Sequence, residues 1–133
     1  MTTQTMQSPA PVLLRAVAVF GILFGVITLF AGGKVLFGDP AAREAAGNVV
    51  PFVLRFNFAA GFAYIAAGVG LWKRAPWASA LALVIAVATG MVLAAFGGHV
   101  ASGGAYEMRT LVALMGRTLI WIVIFATTRR FFR

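Results

Sequence analysis

The chain contains no cysteine and a single histidine, and only three of its 133 residues are acidic. Without thiols there are no disulfides, thiolate nucleophiles, zinc-thiolate sites or iron–sulfur ligands. His99 alone falls short of the three or four protein ligands of an ordinary zinc site, although a symmetric dimer would supply two such residues. It reads as an interfacial histidine, and neither a metal nor another cofactor is expected. The three acids, Asp39, Glu44 and Glu107, all fall outside the long apolar runs. That argues against a proton-coupled cation exporter, which needs a membrane-embedded carboxylate. Phosphate-binding loops and nucleotide fingerprints are absent, and Ser102 near His99 and Glu107 is weak ground for a triad. A non-enzymatic protein is the expectation.

What is abundant is hydrocarbon. Hydrophobic residues make up 62% of the chain and charged residues 11%, and the mean hydropathy is +0.96. These values lie well outside soluble globular usage and indicate an integral membrane protein. A helical span needs about 20 apolar residues, so the length accommodates four spans and little else. They are expected at 12–31, 49–72, 77–97 and 110–128, forming one four-helix transmembrane domain over 12–133 behind a disordered polar lead, 1–11. The fold class is therefore all-α, a tight bundle of four transmembrane helices. Gly32-Gly33 and Gly97-Gly98 read as helix stops, Asn48 as the cap of the second span and Pro76 as the first turn of the third. Asp39, Pro40 and Gly47 bracket one short outer-side helix over Ala41 to Ala46.

Charge sets an expected orientation. Arg15, Lys73, Arg74, Arg129, Arg130 and Arg133 share one side with no acid, so by the positive-inside rule that side and both termini are cytoplasmic. Trp72 and Trp77 bracket Lys73-Arg74 as amphipathic rings do at a headgroup boundary.

Two arginines interrupt the apolar runs. A guanidinium in hydrocarbon costs roughly 2.5 kcal/mol or more and cannot shed its proton. Counted from the expected span starts, Arg55 lies roughly 9 Å deep and Arg117 roughly 10 Å, entering from the same outer face. With Asn57 they suggest an outer polar pocket. The glycine-rich segment from Gly97 to Arg109 contributes His99, Tyr106, Glu107 and Arg109 to the same side. Arg55 and Arg117 supply charge and bidentate donors, Asn57 and Tyr106 orienting hydrogen bonds, and Glu107 a gate or counter-ion. Such a pocket binds or passes a small anion or an anionic lipid headgroup. The structural alternative is a clamp, in which a carboxylate folds back onto an arginine, and Glu107 with Arg109 also suits the start of the fourth span.

Helix packing is written in small residues. Ala78, Ala82, Ala86, Gly90, Ala94 and Gly98 form a four-apart ridge along the third span, with Gly21 and Gly25 as a matching groove in the first and Ala59, Ala63 and Ala67 in the second. Such ridges let backbones approach where no hydrophobic force assembles helices. Part of the ridge is available to a homo-oligomer or to a larger membrane partner.

Leu13-Leu14-Arg15 and the run Leu29-Phe30-Ala31-Gly32-Gly33-Lys34-Val35-Leu36 resemble the first helix of DoxX-like small membrane proteins. Val50-Pro51-Phe52-Val53-Leu54-Arg55-Phe56-Asn57-Phe58 and Gly103-Gly104-Ala105-Tyr106-Glu107-Met108-Arg109-Thr110 look like a group of uncharacterised four-span bacterial inner-membrane proteins. The resemblance implies a multi-pass protein of the bacterial inner membrane, and the DoxX likeness implies an accessory or anchor role in a quinone-linked redox complex. The chain's lack of cysteine and of a second histidine argues against a direct redox role.

Overall fold

A computed structural model describes residues 10–132; residues 1–9 of the expected polar lead lie outside them. Five helices follow in order: α1 (Ala10–Leu36), α2 (Pro40–Ala46), α3 (Pro51–Trp72), α4 (Pro76–Ala101) and α5 (Met108–Thr128), the last running into a 3-10 turn at Arg129–Phe131. α1, α3, α4 and α5 are long and apolar enough to cross a membrane, and the fold is an all-α four-helix membrane bundle. The connections alternate, so α2 and the α4–α5 loop share one side, called here the α2 side. The α3–α4 turn and the ends of α1 and α5 share the other, the terminal side.

α2 is bounded by the residues that predict it. Asp39 Oδ1 accepts from the Ala41 amide at 3.2 Å, Pro40 fills the first turn, and Gly47 ends the helix at φ 71°. The double glycines behave otherwise. α1 continues through Gly32-Gly33 and α4 through Gly97-Gly98. A glycine stops a helix only where the chain can adopt a left-handed residue and repair the freed carbonyls; inside hydrocarbon an unpaired backbone group costs several kcal/mol. The stops are at Gly38 (φ 93°) and Gly103 (φ 88°). In each, the amide three residues past the helix end bonds back across a left-handed residue, Asp39 N to Lys34 O at 2.9 Å and Gly104 N to His99 O at 2.9 Å. α3 ends on the same motif with Arg74 (φ 59°) in the left-handed position and Ala75 N donating to Gly70 O at 2.8 Å.

α1 and α3 make the closest pairing. A Cβ on Gly25 would lie 2.7 Å from the Gly61 carbonyl oxygen, and one on Gly68 2.7 Å from the Ala18 carbonyl oxygen. Gly21 faces Tyr64 and Gly68 at the same seam. α4 packs on α5 and α3. The α4 ridge takes part over half its length only: Ala78, Ala82 and Ala86 are buried, Gly90 is half-buried, and Ala94 and Gly98 are exposed. Each four-residue step turns about 40° around a helix, so the far end of the row has rotated roughly 200° from its start. Similarly, Ala59 is exposed and Ala67 buried, and Gly61 and Gly68 carry the close contact on α3 that Ala59 and Ala63 were expected to carry.

The larger core cluster gathers Leu14, Ala18, Tyr64, Leu71, Ala82 and Trp121 among others, and buried Ser79 Oγ and Thr128 Oγ1 meet at 3.3 Å near the terminal side. A smaller cluster, Val50, Val53, Phe96 and Leu114, lies toward the α2 side. Toward the terminal side the packing leaves a cavity of only about 70 Å³, lined by Leu14, Arg15, Leu71, Trp72 and Arg74, while the larger cavities described next open on the α2 half.

Candidate functional site

α2 and its flanking loops are tied down by charge. Arg43 Nε donates to the Val35 carbonyl at 2.9 Å and Nη2 to the Leu36 carbonyl at 3.3 Å, capping the end of α1. Arg109, at the start of α5, donates to the Ala45 carbonyl at the end of α2. Asn48, expected to cap α3, is turned away from it: its amide N and its side-chain Nδ2 donate to Glu107 Oε2 at 2.8 and 3.1 Å. Val50 occupies the α3 cap without a side-chain bond, and Pro51 has no N–H to satisfy. The Asn48 backbone amide, more than any other group, holds the Glu107 carboxyl below its ordinary pKa. Glu107 is therefore a latch between two loops rather than a partner of either intramembrane arginine.

Beneath this strapping lie two adjoining cavities. One, of about 540 Å³, is lined by Arg43, Asn48, Leu54 and Arg55 among others. The second, of about 370 Å³, is lined by Asn57, Arg109, Thr110 and Ala113 among others. Val35, Val49 and Leu54 wall both. Arg43 and Arg55 thus line the first cavity and Arg109 the second, and neither wall contains a carboxylate; the pair is called here the vestibule. Arg43 was not anticipated as a site residue; its position in the last turn of the short helix, facing the end of the first span, is the signal that marks it. Asn57 Oδ1 is buried and has no hydrogen-bond partner.

Arg117 lies elsewhere. α3 starts two residues later than expected and α5 two earlier, so Arg55 is four residues into its helix and Arg117 nine, depths of roughly 6 and 14 Å. The equal levels inferred from sequence do not hold, and the two arginines do not share a cavity. Arg117 sits mid-helix, where Nη1 donates to Thr28 Oγ1 at 3.2 Å and Tyr64 Oη at 3.1 Å. Its guanidinium carbon lies 4.9 Å from the Phe24 ring centroid and 5.8 Å from that of Tyr64. Two charge-assisted hydrogen bonds at roughly 1.5–3 kcal/mol each and ring-face attraction are large enough to offset the insertion cost of roughly 2.5–3.5 kcal/mol. They add no negative charge. Among the described residues the one ion pair is Lys34–Asp39, at 3.8 Å.

The α4–α5 loop is organised around His99. Its Nε2 meets the Ala105 carbonyl at 2.9 Å, which makes Nε2 the donor, and Ser102 Oγ donates to the His99 carbonyl at 3.0 Å. Gly104 lies against the imidazole so closely that a Cβ there would be 2.3 Å from it. Tyr106 meets Phe96 edge to face at 5.8 Å and packs with the smaller core. Of the residues singled out from sequence, Arg55, Asn57 and Arg109 line the vestibule, Glu107 latches its rim, and Arg117, Tyr106 and His99 stand outside its walls. No protein-family profile, curated protein or solved structure matches the chain.

Proposed function

We propose that the vestibule on the α2 side binds an anionic group, either a small anion or the headgroup of an anionic lipid, at the non-cytoplasmic face of a bacterial inner membrane. The observation that carries this reading is the wall composition: Arg43, Arg55 and Arg109 without a carboxylate among them. Arg43 and Arg109 donate to backbone carbonyls and still contribute field. Arg55 is exposed and makes no hydrogen bond or ion pair among the described residues, so its fork is available to oxygen pairs. The terminal half holds a cavity of only about 70 Å³, against about 540 and 370 Å³ on the α2 side, which favours binding over passage. An accessory-subunit role would have only the exposed end of the α4 ridge, Ala94 and Gly98, as its docking face, because Ala78, Ala82 and Ala86 are already buried within the bundle. The non-cytoplasmic placement follows from the charge asymmetry, and a C-terminal phosphatase fusion that proved active would reverse it.

The test is binding to the purified chain in neutral detergent, with radiolabelled inorganic phosphate in one arm and phosphatidylglycerol against phosphatidylcholine, read by native mass spectrometry, in the other. Arg55→Gln is expected to weaken binding in the productive arm about tenfold, a charge-assisted bond being worth roughly 1.5–3 kcal/mol. Phosphate binding alone identifies a free anion and selective phosphatidylglycerol retention a headgroup. Affinities indifferent to Arg55→Gln in both arms overturn the proposal.

A further inference from the structure

The centre of the bundle carries a surplus of hydrogen-bond donors around a positive charge. Arg117 has five N–H groups; two reach Thr28 and Tyr64, and the rest make no hydrogen bond among the described residues. Thr28 and Tyr64 each accept from Arg117, which leaves their own hydroxyl protons to donate. Thr28 also lacks the bond to its own helix carbonyl that Thr89 makes to Ile85 at 2.7 Å and Thr118 to Leu114 at 2.8 Å. Trp121, one turn beyond Arg117, stacks on the Tyr64 ring at 5.0 Å, and its buried indole N–H has no acceptor. Buried donors are almost always paired; the Trp121 N–H is buried without an acceptor, and the remaining N–H groups of the part-buried Arg117 have none on the chain, so an acceptor from outside the chain fits here.

We infer that Arg117, Tyr64 and Thr28 form a second, deep site for a small monovalent anion, distinct from the vestibule. One fixed guanidinium sets the charge: a single negative ion neutralises it, whereas a divalent ion leaves a net charge in hydrocarbon. The site has an approach. Ala113 lines the 370 Å³ cavity and precedes Arg117 by one turn, roughly 6 Å of rise. Side chains on a helix lean toward its N-terminus, and both α3 and α5 begin on the α2 side, so Tyr64 and Arg117 reach back toward the cavity floor. Asn57 stands on that floor, and rotation of its amide puts N–H groups where the unpartnered oxygen lies. The inference depends on the vestibule reading for the access route alone.

Trp121 reports on this site. It is fully buried and therefore shielded from collisional quenching. In a Trp72→Phe, Trp77→Phe background it is the one remaining tryptophan of three. Sodium iodide, titrated at constant ionic strength against sodium gluconate, is expected to quench it along a saturating curve. Arg117→Gln should weaken that saturation about tenfold and Tyr64→Phe severalfold, charge-assisted contacts being the stronger. Arg55→Gln should leave the deep-site midpoint within about twofold, which separates this site from the vestibule. Linear, unsaturated quenching overturns the inference. If Arg117→Gln does not fold, Tyr64→Phe and Thr28→Val decide it, and a saturation midpoint unchanged in both sinks the site.

Discussion

Replacing Gly68 with alanine places a methyl group 2.7 Å from the Ala18 carbonyl oxygen and 2.9 Å from the Ile22 amide nitrogen. Both atoms belong to the α1 backbone, so no side-chain rotation relieves the contact. Ordinary van der Waals distance begins at 3.4 Å, and α1 must retreat by about 0.7 Å at this point. Overpacking of this kind costs about 1–3 kcal/mol, and the rigidity of the opposing atoms puts it in the upper half. Alanine's better helix propensity returns about 1 kcal/mol. The net expectation for Gly68→Ala is a loss of about 1–2 kcal/mol. Gly90→Ala is the matched control, because its methyl group would meet only Thr118 Cγ2 at 3.8 Å. There the propensity gain stands alone, and a stabilisation of up to about 1 kcal/mol is expected. Equilibrium unfolding in mixed micelles at increasing dodecyl sulfate fraction measures both. If Gly68→Ala matches or exceeds the parent while Gly90→Ala loses stability, the assignment of the tight seam to α1 and α3 is wrong.

Three further outcomes are expected. The Glu107 carboxyl is held below its ordinary value by the Asn48 amide, so the latch contributes fully above the unfolded carboxylate pKa of about 4.3 and is lost only as pH falls through the lowered folded value; hydrogen exchange at the Asn48 amide should stay slow from pH 8 to 5, and fast exchange at pH 6 would contradict this. Gly47→Ala forces a Cβ to 2.5 Å from Glu107 Oε2 at a residue with φ 71°, so Asn48 protection should collapse in that variant while the α1–α3 seam remains intact; unchanged exchange would show that the latch does not run through this turn. Ser79→Ala removes one partner of the buried 3.3 Å contact with Thr128, and a loss of about 0.5–1 kcal/mol is expected in the same micelle assay, a loss above 3 kcal/mol being incompatible with a single interhelical hydroxyl bond.

The parts of this fold legible from sequence were those set by local chemistry. Asp39, Pro40 and Gly47 bound α2 because a cap, a first-turn proline and a positive-φ glycine each act within a few residues. The spans followed from the same kind of reasoning, since hydrocarbon accepts only closed backbone hydrogen bonding. What was hidden depended on neighbours. Gly32-Gly33 continue a helix because the α1 cap forms at Gly38, and Gly61 and Gly68, seven apart on one face, matter only because α1 lies against them. The vestibule was half visible: Arg55, Asn57 and Arg109 stood out as polar groups near the α2 side, whereas Arg43 joined them through the fold of α2. Shifts of two residues at the starts of α3 and α5 were enough to separate Arg55 from Arg117 in depth. Asn48 was claimed by Glu107, 59 residues away, a pairing that no local pattern announces.

The most direct test of the vestibule is an anomalous difference map from crystals of the full chain grown with selenate, a tetrahedral oxyanion whose selenium marks its own position. The account predicts a peak in the α2-side cavity within hydrogen-bond reach of the Arg55 guanidinium and bounded by Arg43 and Asn48, absent in Arg55→Gln crystals. A map with selenate confined to the outer surface of the molecule, and none between Arg43 and Arg55, would contradict it.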